Sequence, residues 1–144
     1  MKEKFKLIAS VYLLFRNGYK ILLLRRANTG YEDGNYSLVA GHVDGNEPMT
    51  LAAVREAKEE SGVNIDPKDL VLKVVMHRFC GDHERMDFFF EPKKWSGEIK
   101  NMEPNKCADL TWFALNNLPE NIIPYIKEAL ECYKKGISYS EFGW

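Results

Sequence analysis

Apolar and polar positions alternate along this chain with two different periods. Lys6 to Phe15 and Tyr19 to Arg25 are rich in Ile, Leu, Val, Tyr and Phe, and between them stands Arg16-Asn17-Gly18-Tyr19. Asn and Gly tolerate positive φ, so the two runs are expected to pair as a hairpin across that Asn-Gly turn. Ala27 to Asn35, with two glycines among polar residues, reads as a loop before a short strand around Tyr36 to Ala40. Val71 to Phe79 and Met86 to Glu91 read as two strands joined by the polar turn Gly81-Asp82-His83-Glu84, and Cys107 to Ala114 is a candidate for another. The helical period appears twice, over Pro48 to Ser61 and over Ile122 to Lys135, where Ile122, Tyr125, Ile126, Ala129, Leu130 and Tyr133 recur at helical spacing. Strands, a helix, more strands and a second helix predict an α/β (α+β) class, a mixed sheet flanked by helices.

At 144 residues, with no repeat, low-complexity tract or linker, residues 1–144 are expected to form one domain. Hydrophobic residues at 45% and charged residues at 28% are ordinary globular values and exclude disordered and collagen-like classes. Twenty basic against twenty-one acidic residues give a formal charge of −1, which argues against nucleic acid as a partner. Cys80, Cys107 and Cys132 match neither a disulfide framework nor a zinc pair, so free thiols in a reducing compartment are expected. The apolar run near Met1 is soon broken by charge, too short for a membrane span and without a cleavage site, which makes a cytoplasmic location the expectation. Tyr139-Ser140-Glu141-Phe142-Gly143-Trp144 carries three aromatics, whose exposure is unfavourable, so this tail is expected to pack on the body or in a homodimer.

The near-neutral total conceals an acidic cluster in Arg55-Glu56-Ala57-Lys58-Glu59-Glu60. On a helix, Glu56, Glu59 and Glu60 stand at i, i+3 and i+4 and share a face. Leu51, Ala53, Val54 and Ala57 lie mostly on the other side. Each like-charged pair costs a few tenths of a kcal/mol, which local helix energetics does not return. A hard divalent cation would offset it, since Mg²⁺ and Mn²⁺ take oxygen ligands and are commonly completed by substrate phosphates; the alternative is a solvated acidic face. Gly41 and Gly45 precede the helix, and Gly62 offers a left-handed cap. Arg55 has two candidate partners, Glu59 at i+4 or Glu47 through a bidentate bond tying loop to helix.

Gly41, five residues, Glu47, seven residues and then Arg55-Glu56-Ala57-Lys58-Glu59-Glu60-Ser61-Gly62-Val63 resembles the complete signature box of the Nudix hydrolases. Ala57 stands where a larger aliphatic residue is commoner. Tyr36-Ser37-Leu38-Val39-Ala40-Gly41 resembles the family's Trp-x-Leu-Pro-Gly-Gly approach to the box. The resemblance implies a Nudix fold, an α/β/α sandwich with a mixed β-sheet, and Mg²⁺- or Mn²⁺-dependent hydrolysis of a diphosphate linkage in a small-molecule nucleotide. It implies Glu56 and Glu60 as principal metal ligands, Glu59 as ligand or base, a metal-directed carbonyl at Gly41, and Arg55 with Glu47 orienting the loop.

Trp95-Ser96-Gly97-Glu98-Ile99-Lys100-Asn101-Met102-Glu103 resembles a loop of the branch that hydrolyses oxidised purine triphosphates, which makes Glu103 a candidate base outside the box and Glu98 its neighbour; the alternative for Glu103 is an ordinary surface Glu. By the same resemblance Asn121, after Leu118-Pro119, is a candidate reader of the base edge, but the favoured reading is a helix N-cap. Phe79, with Phe88 and Phe90, could stack on a base or lie in the core. His42, beside Gly41, either faces phosphate or is a plain surface histidine, and His77 and His83 stand at no recognised ligand spacing. The expected function is a Nudix pyrophosphohydrolase acting on a nucleoside triphosphate or another nucleoside diphosphate derivative. The alternatives are a nucleotide-sugar or dinucleoside polyphosphate hydrolase, and a non-catalytic nucleotide-sensing module.

Overall fold

A run of four buried apolar residues, Ile21 to Leu24, requires cover on both faces of its strand. In the computed structural model, which describes residues 2–144, Ile21 and Leu23 enter one core while Leu22 and Leu24 enter another. The elements in order are β1 (Ile8–Leu13), β2 (Arg16–Asn17), β3 (Lys20–Arg26), β4 (Tyr36–Ser37), β5 (Val39–His42), α1 (Met49–Ser61), β6 (Leu70–Phe79), β7 (Glu84–Pro92), β8 (Cys107–Ala114), α2 (Pro124–Lys135) and β9 (Tyr139–Phe142). A single 3₁₀ turn, Pro67–Asp69, leads into β6.

Five strands form one sheet in the order β5-β1-β7-β6-β9, with β1/β7 and β6/β9 parallel and the remaining pairs antiparallel. The second sheet is centred on β3, which pairs with β2 and β4 on one side and β8 on the other. Helix α1 shares a core with Val11, Leu13, Leu22, Val39 and Phe90. Helix α2 shares the other with Tyr12, Leu14, Val74, Met76 and Phe89. The result is the α/β/α sandwich with a mixed sheet that the Nudix resemblance implies, with its strands divided between two sheets where the element order suggests one sheet flanked by helices. No helix among the described residues is long and apolar enough to cross a membrane.

The expected hairpin is divided between the sheets. β1 pairs with β5 and β7, Arg16–Asn17 pairs with β3, and the chain passes between sheets at the fully buried Leu14, whose amide bonds the Phe90 carbonyl, and Phe15, whose carbonyl accepts the Leu22 amide. Both faces of this run are apolar, so it can serve each core in turn. Gly18 alone takes positive φ in the turn, at 62°, while Asn17 stays in the strand. The stretch Tyr36 to Ala40 is likewise two strands, broken at Leu38.

On α1 the buried apolar residues are Ala52, Ala53 and Ala57, and Leu51 is 45% exposed, so the helix meets the sheet through methyl groups and lies close to it. The second helix begins later than expected, at Pro124, whose fixed φ suits the first helical position. The aromatic tail packs on the body as a strand, β9, along β6, but only Phe142 of its three aromatics is half-buried, Tyr139 and Trp144 staying 49% and 65% exposed.

Candidate active site

The close approach of α1 brings its carboxylates against the β5 loop. Glu56 is only 8% exposed, and its carboxylate fills the space where a side chain on Gly41 would begin: a Cβ built there would overlap it. Glu60 Oε1 accepts the Ala40 N–H at 2.9 Å, so strand and helix are linked through a box carboxylate. Arg55 forks onto Glu47, Nη2 to Oε1 at 2.7 Å and Nε to Oε2 at 3.2 Å, and Nη2 also reaches the His42 carbonyl at 3.2 Å. Its Nη1 donates to Glu56 Oε1 at 2.7 Å and lies 3.5 Å from Glu59 Oε2. Arg55 therefore makes both of the contacts open to it from spacing, with Glu47 the better engaged. Gly62 closes the helix at φ 78°, its amide on the Lys58 carbonyl.

Burial pushes Glu56 up to about 7 against the pull of Arg55. Burial also pushes Glu60 up to about 8, opposed by the Ala40 N–H and reinforced by the charges of Glu56 and Glu103. Hydrogen bonding to Arg55 and then to the Asp44 amide holds Glu47 below the usual carboxylate range.

Glu103 reaches this group because its loop is tied to the end of α1. The Lys100 and Met102 amides donate to the Ser61 and Glu60 carbonyls at 2.9 and 3.3 Å, satisfying acceptors that the last helical turn leaves open. Asn101 braces the loop internally, its Nδ2 donating to the Cys107 carbonyl and its Oδ1 accepting the Glu103 N–H. Gly41, Glu56, Glu59, Glu60 and Glu103, with Arg26 and Lys106, line a cleft of about 510 Å³.

Among the described residues no three His, Cys, Asp or Glu side chains stand as a group that would hold a metal ion in this arrangement. The donor chemistry nevertheless fits a hard divalent cation. All the carboxylates are oxygen donors, two have their charge suppressed by burial, and Arg55 now occupies the place beside Glu56 that a cation's charge could take.

A second cavity, of about 470 Å³, adjoins the cleft, and Arg26, Ala40, Gly41 and His42 line both. Tyr12, Arg78 and Tyr125 also line it, backed by the fully buried Asp87. Arg78 Nε donates to Asp87 Oδ2 at 2.8 Å, the Tyr12 hydroxyl donates to Oδ1 at 3.2 Å, and the guanidinium lies 3.6 Å from the Tyr125 ring centroid. Arg85 bonds Ser10 Oγ, His42 Nε2 and His83 Nε2, all neutral groups when the histidines are unprotonated. Burial, then the Arg85 charge, pushes the His42 imidazole down.

A family model described as the NUDIX domain matches residues 4–133. The chain belongs to the Nudix family. Among its relatives are a Stutzerimonas stutzeri protein named NAD-capped RNA hydrolase NudC, 31% identical over 79% of this Nudix chain and 39% of the relative, and a Mycobacterium tuberculosis protein named putative 8-oxo-dGTP diphosphatase 3, 29% identical over 69% of this chain and 46% of the relative. The chain thus spans less than half the length of these relatives. A MutT NUDIX hydrolase from Burkholderia pseudomallei superposes with a TM-score of 0.79 at 27% identity, covering 88% of this chain and 97% of the other. A MutT protein from Methanosarcina mazei Go1 shares the fold at a TM-score of 0.77 and 23% identity, over 93% and 97%.

Of the residues named from the Nudix box, Gly41, Glu56, Glu59 and Glu60 meet in the acidic cleft, with Glu47 and Arg55 bonded beside it. Glu103 joins them from outside the box, whereas Glu98 is exposed and lines neither space. His42 and Phe79 line the aromatic cavity. Asn121 does not: its Nδ2 is spent on the Gly34 carbonyl at 2.7 Å. Nor does Asn121 cap α2, because Ile123 holds the cap position without a side-chain bond. Phe90 is core and Phe88 half-buried against the α1 core, while His77 bonds Glu84. Tyr12, Arg78, Arg85, Tyr125 and Phe142 belong to no motif that spacing along the chain reveals. Charged residues inside the apolar strands 70–79 and 84–92 are the available signal, since a buried charge implies a partner or a cavity.

Proposed function

We propose that this Nudix chain is a pyrophosphohydrolase that cleaves a phosphoanhydride bond in a nucleoside triphosphate, or in another nucleoside diphosphate derivative, by attack of water. The junction of the two cavities carries the reading. Arg26, Ala40, Gly41 and His42 border both spaces, so a base held among aromatic rings would extend its phosphates among carboxylates. Glu56, Glu60 and the Gly41 carbonyl would hold Mg²⁺ or Mn²⁺, with Glu59 and Glu103 in reach of the same cleft. Such an ion, when bound, neutralises phosphate charge and lowers the pKa of a water.

The chain's own residues prepare for this. Glu56 and Glu60, with pKa values of about 7 and 8, release protons readily when positive charge arrives. Glu59 is exposed, with Arg55 at 3.5 Å its ion-pair partner, and with Glu103 it is a candidate to accept the water's proton. Arg55 locks the loop to the helix, and Arg26 and Lys106 supply donors for phosphate oxygens. The three free cysteines suit a cytoplasmic setting.

The relative named as an 8-oxo-dGTP diphosphatase favours a triphosphate. The one named for NAD-capped RNA supports the second reading, a nucleotide-sugar or dinucleoside polyphosphate hydrolase. A non-catalytic sensing module would be expected to lose box carboxylates, and all are retained. Turnover of a nucleotide panel with product identification separates these. Nucleoside monophosphate plus pyrophosphate is expected, with dependence on Mg²⁺ or Mn²⁺ and a loss of about a hundredfold or more in kcat for Glu60→Gln. Full activity in excess chelator would overturn the proposal.

A further inference from the structure

We infer that Phe142, carried by β9, is the wall of the aromatic cavity that selects the bound base, with Trp144 as the clamp that positions it. The inference rests on the reading that this cavity receives the base of a nucleotide. The family model's match ends at residue 133, before this segment.

The segment is held by its own contacts. β9 pairs in parallel with β6 from Val75↔Tyr139 to Arg78↔Phe142, so Phe142 stands beside Arg78, one of the arginines that line the cavity. Ser140 and Phe142 are half-buried whereas Tyr139 and Glu141 are exposed, as the two-residue period of a strand requires. Phe142 packs on the α2 core and lines two spaces at once, the cavity of about 470 Å³ and a neighbouring groove of about 820 Å³ bordered by Leu118 and Glu128. It is therefore a partition, and removing its ring would join the two.

Gly143 and Trp144 fix Phe142 in place. Gly143 has φ 86°, and a Cβ there would run into the Phe79 carbonyl oxygen, so only glycine lets the chain fold so closely over the end of β6. Trp144 then stacks on Phe79, with ring centroids 5.2 Å apart and planes at 29°, and its Nε1 donates to the His77 carbonyl at 3.1 Å. Phe79 is itself a lining residue, so the clamp orders two aromatic walls of the cavity together.

The test measures binding of AMP, GMP, CMP and UMP in chelator by calorimetry, and KM and kcat for the corresponding triphosphates with Mg²⁺. Phe142→Ala is expected to weaken the preferred monophosphate and raise KM by about tenfold, the usual worth of a base–aromatic stack, and to flatten the preference among bases, with kcat much less affected. Phe142→Tyr should restore both, and Tyr139→Ala, on the outward face, should change neither. Wild-type affinity and base preference in a folded Phe142→Ala chain would overturn the inference. Should that variant not fold, Trp144→Ala decides: about a threefold loss and reduced preference support the inference, and no change overturns it. Binding is read without turnover, so a chain that binds selectively but hydrolyses nothing removes only the proposed activity.

Discussion

At position 41 a methyl group would occupy the space that the Glu56 carboxylate fills, so this glycine is required by a neighbour on the helix and not by its own backbone angles. Gly41→Ala is expected to leave the chain folded while lowering kcat by about a hundredfold, the scale of losing one preorganised charged group; near-normal turnover would show that Glu56 works elsewhere. The same crowding gives a pH signature. Glu56 and Glu60 titrate at about 7 and 8 in the fold, above the ordinary carboxylate value of 4.5. Groups raised in this way contribute stability that is present below the unfolded value and lost as pH rises through the folded ones. In chelator, Tm should therefore fall between about pH 5 and pH 8.5, and Mg²⁺ should restore it at the upper end of that range while adding little at the lower. A metal-free Tm that rises across that range in differential scanning calorimetry would contradict the assignment. Glycine spacing and carboxylate spacing are both readable in the sequence; the contact between them is not, because it joins residues on different elements.

Elements are legible where one period runs unbroken. The strand at Cys107–Ala114 stands where its β-branched and aromatic pattern places it, and α1 ends on the glycine that marks its cap. Boundaries move where tertiary contacts compete with local pattern. The first apolar run serves two sheets because both of its faces are apolar, and the last strand is hidden because four residues with two aromatics resemble a loose tail until β6 offers its edge. Between Lys100 and Lys106 the chain has no regular structure yet carries Glu103, held by the Asn101 side chain. Asn101→Ala should lower stability by about 1–2 kcal/mol and reduce kcat more than it raises KM, measured by urea unfolding and steady-state kinetics. An unchanged kcat would detach Glu103 from the chemistry.

Over the whole molecule, the Tyr12, Arg78, Asp87 and Tyr125 side chains join β1, β6, β7 and α2 beneath the cavity. Removing one member of a buried pair strands the other, so Asp87→Asn is expected to cost about 3–5 kcal/mol in urea unfolding, and Asp87→Leu combined with Arg78→Met should recover much of it. A cost below about 1 kcal/mol would mean that water already solvates the pair. By itself the sequence determined the class of fold, the acidic helix and the family, because period, spacing and glycine placement are local properties written in order along the chain. Only the tertiary structure decided which loop carboxylate meets the box, which strand residues form the aromatic cavity, and that the last strand brings Phe142 to its edge. Those contacts join residues far apart in the chain, Tyr12 to Asp87 and Arg78 to Phe142, and they exist only once both sheets have assembled between the helices.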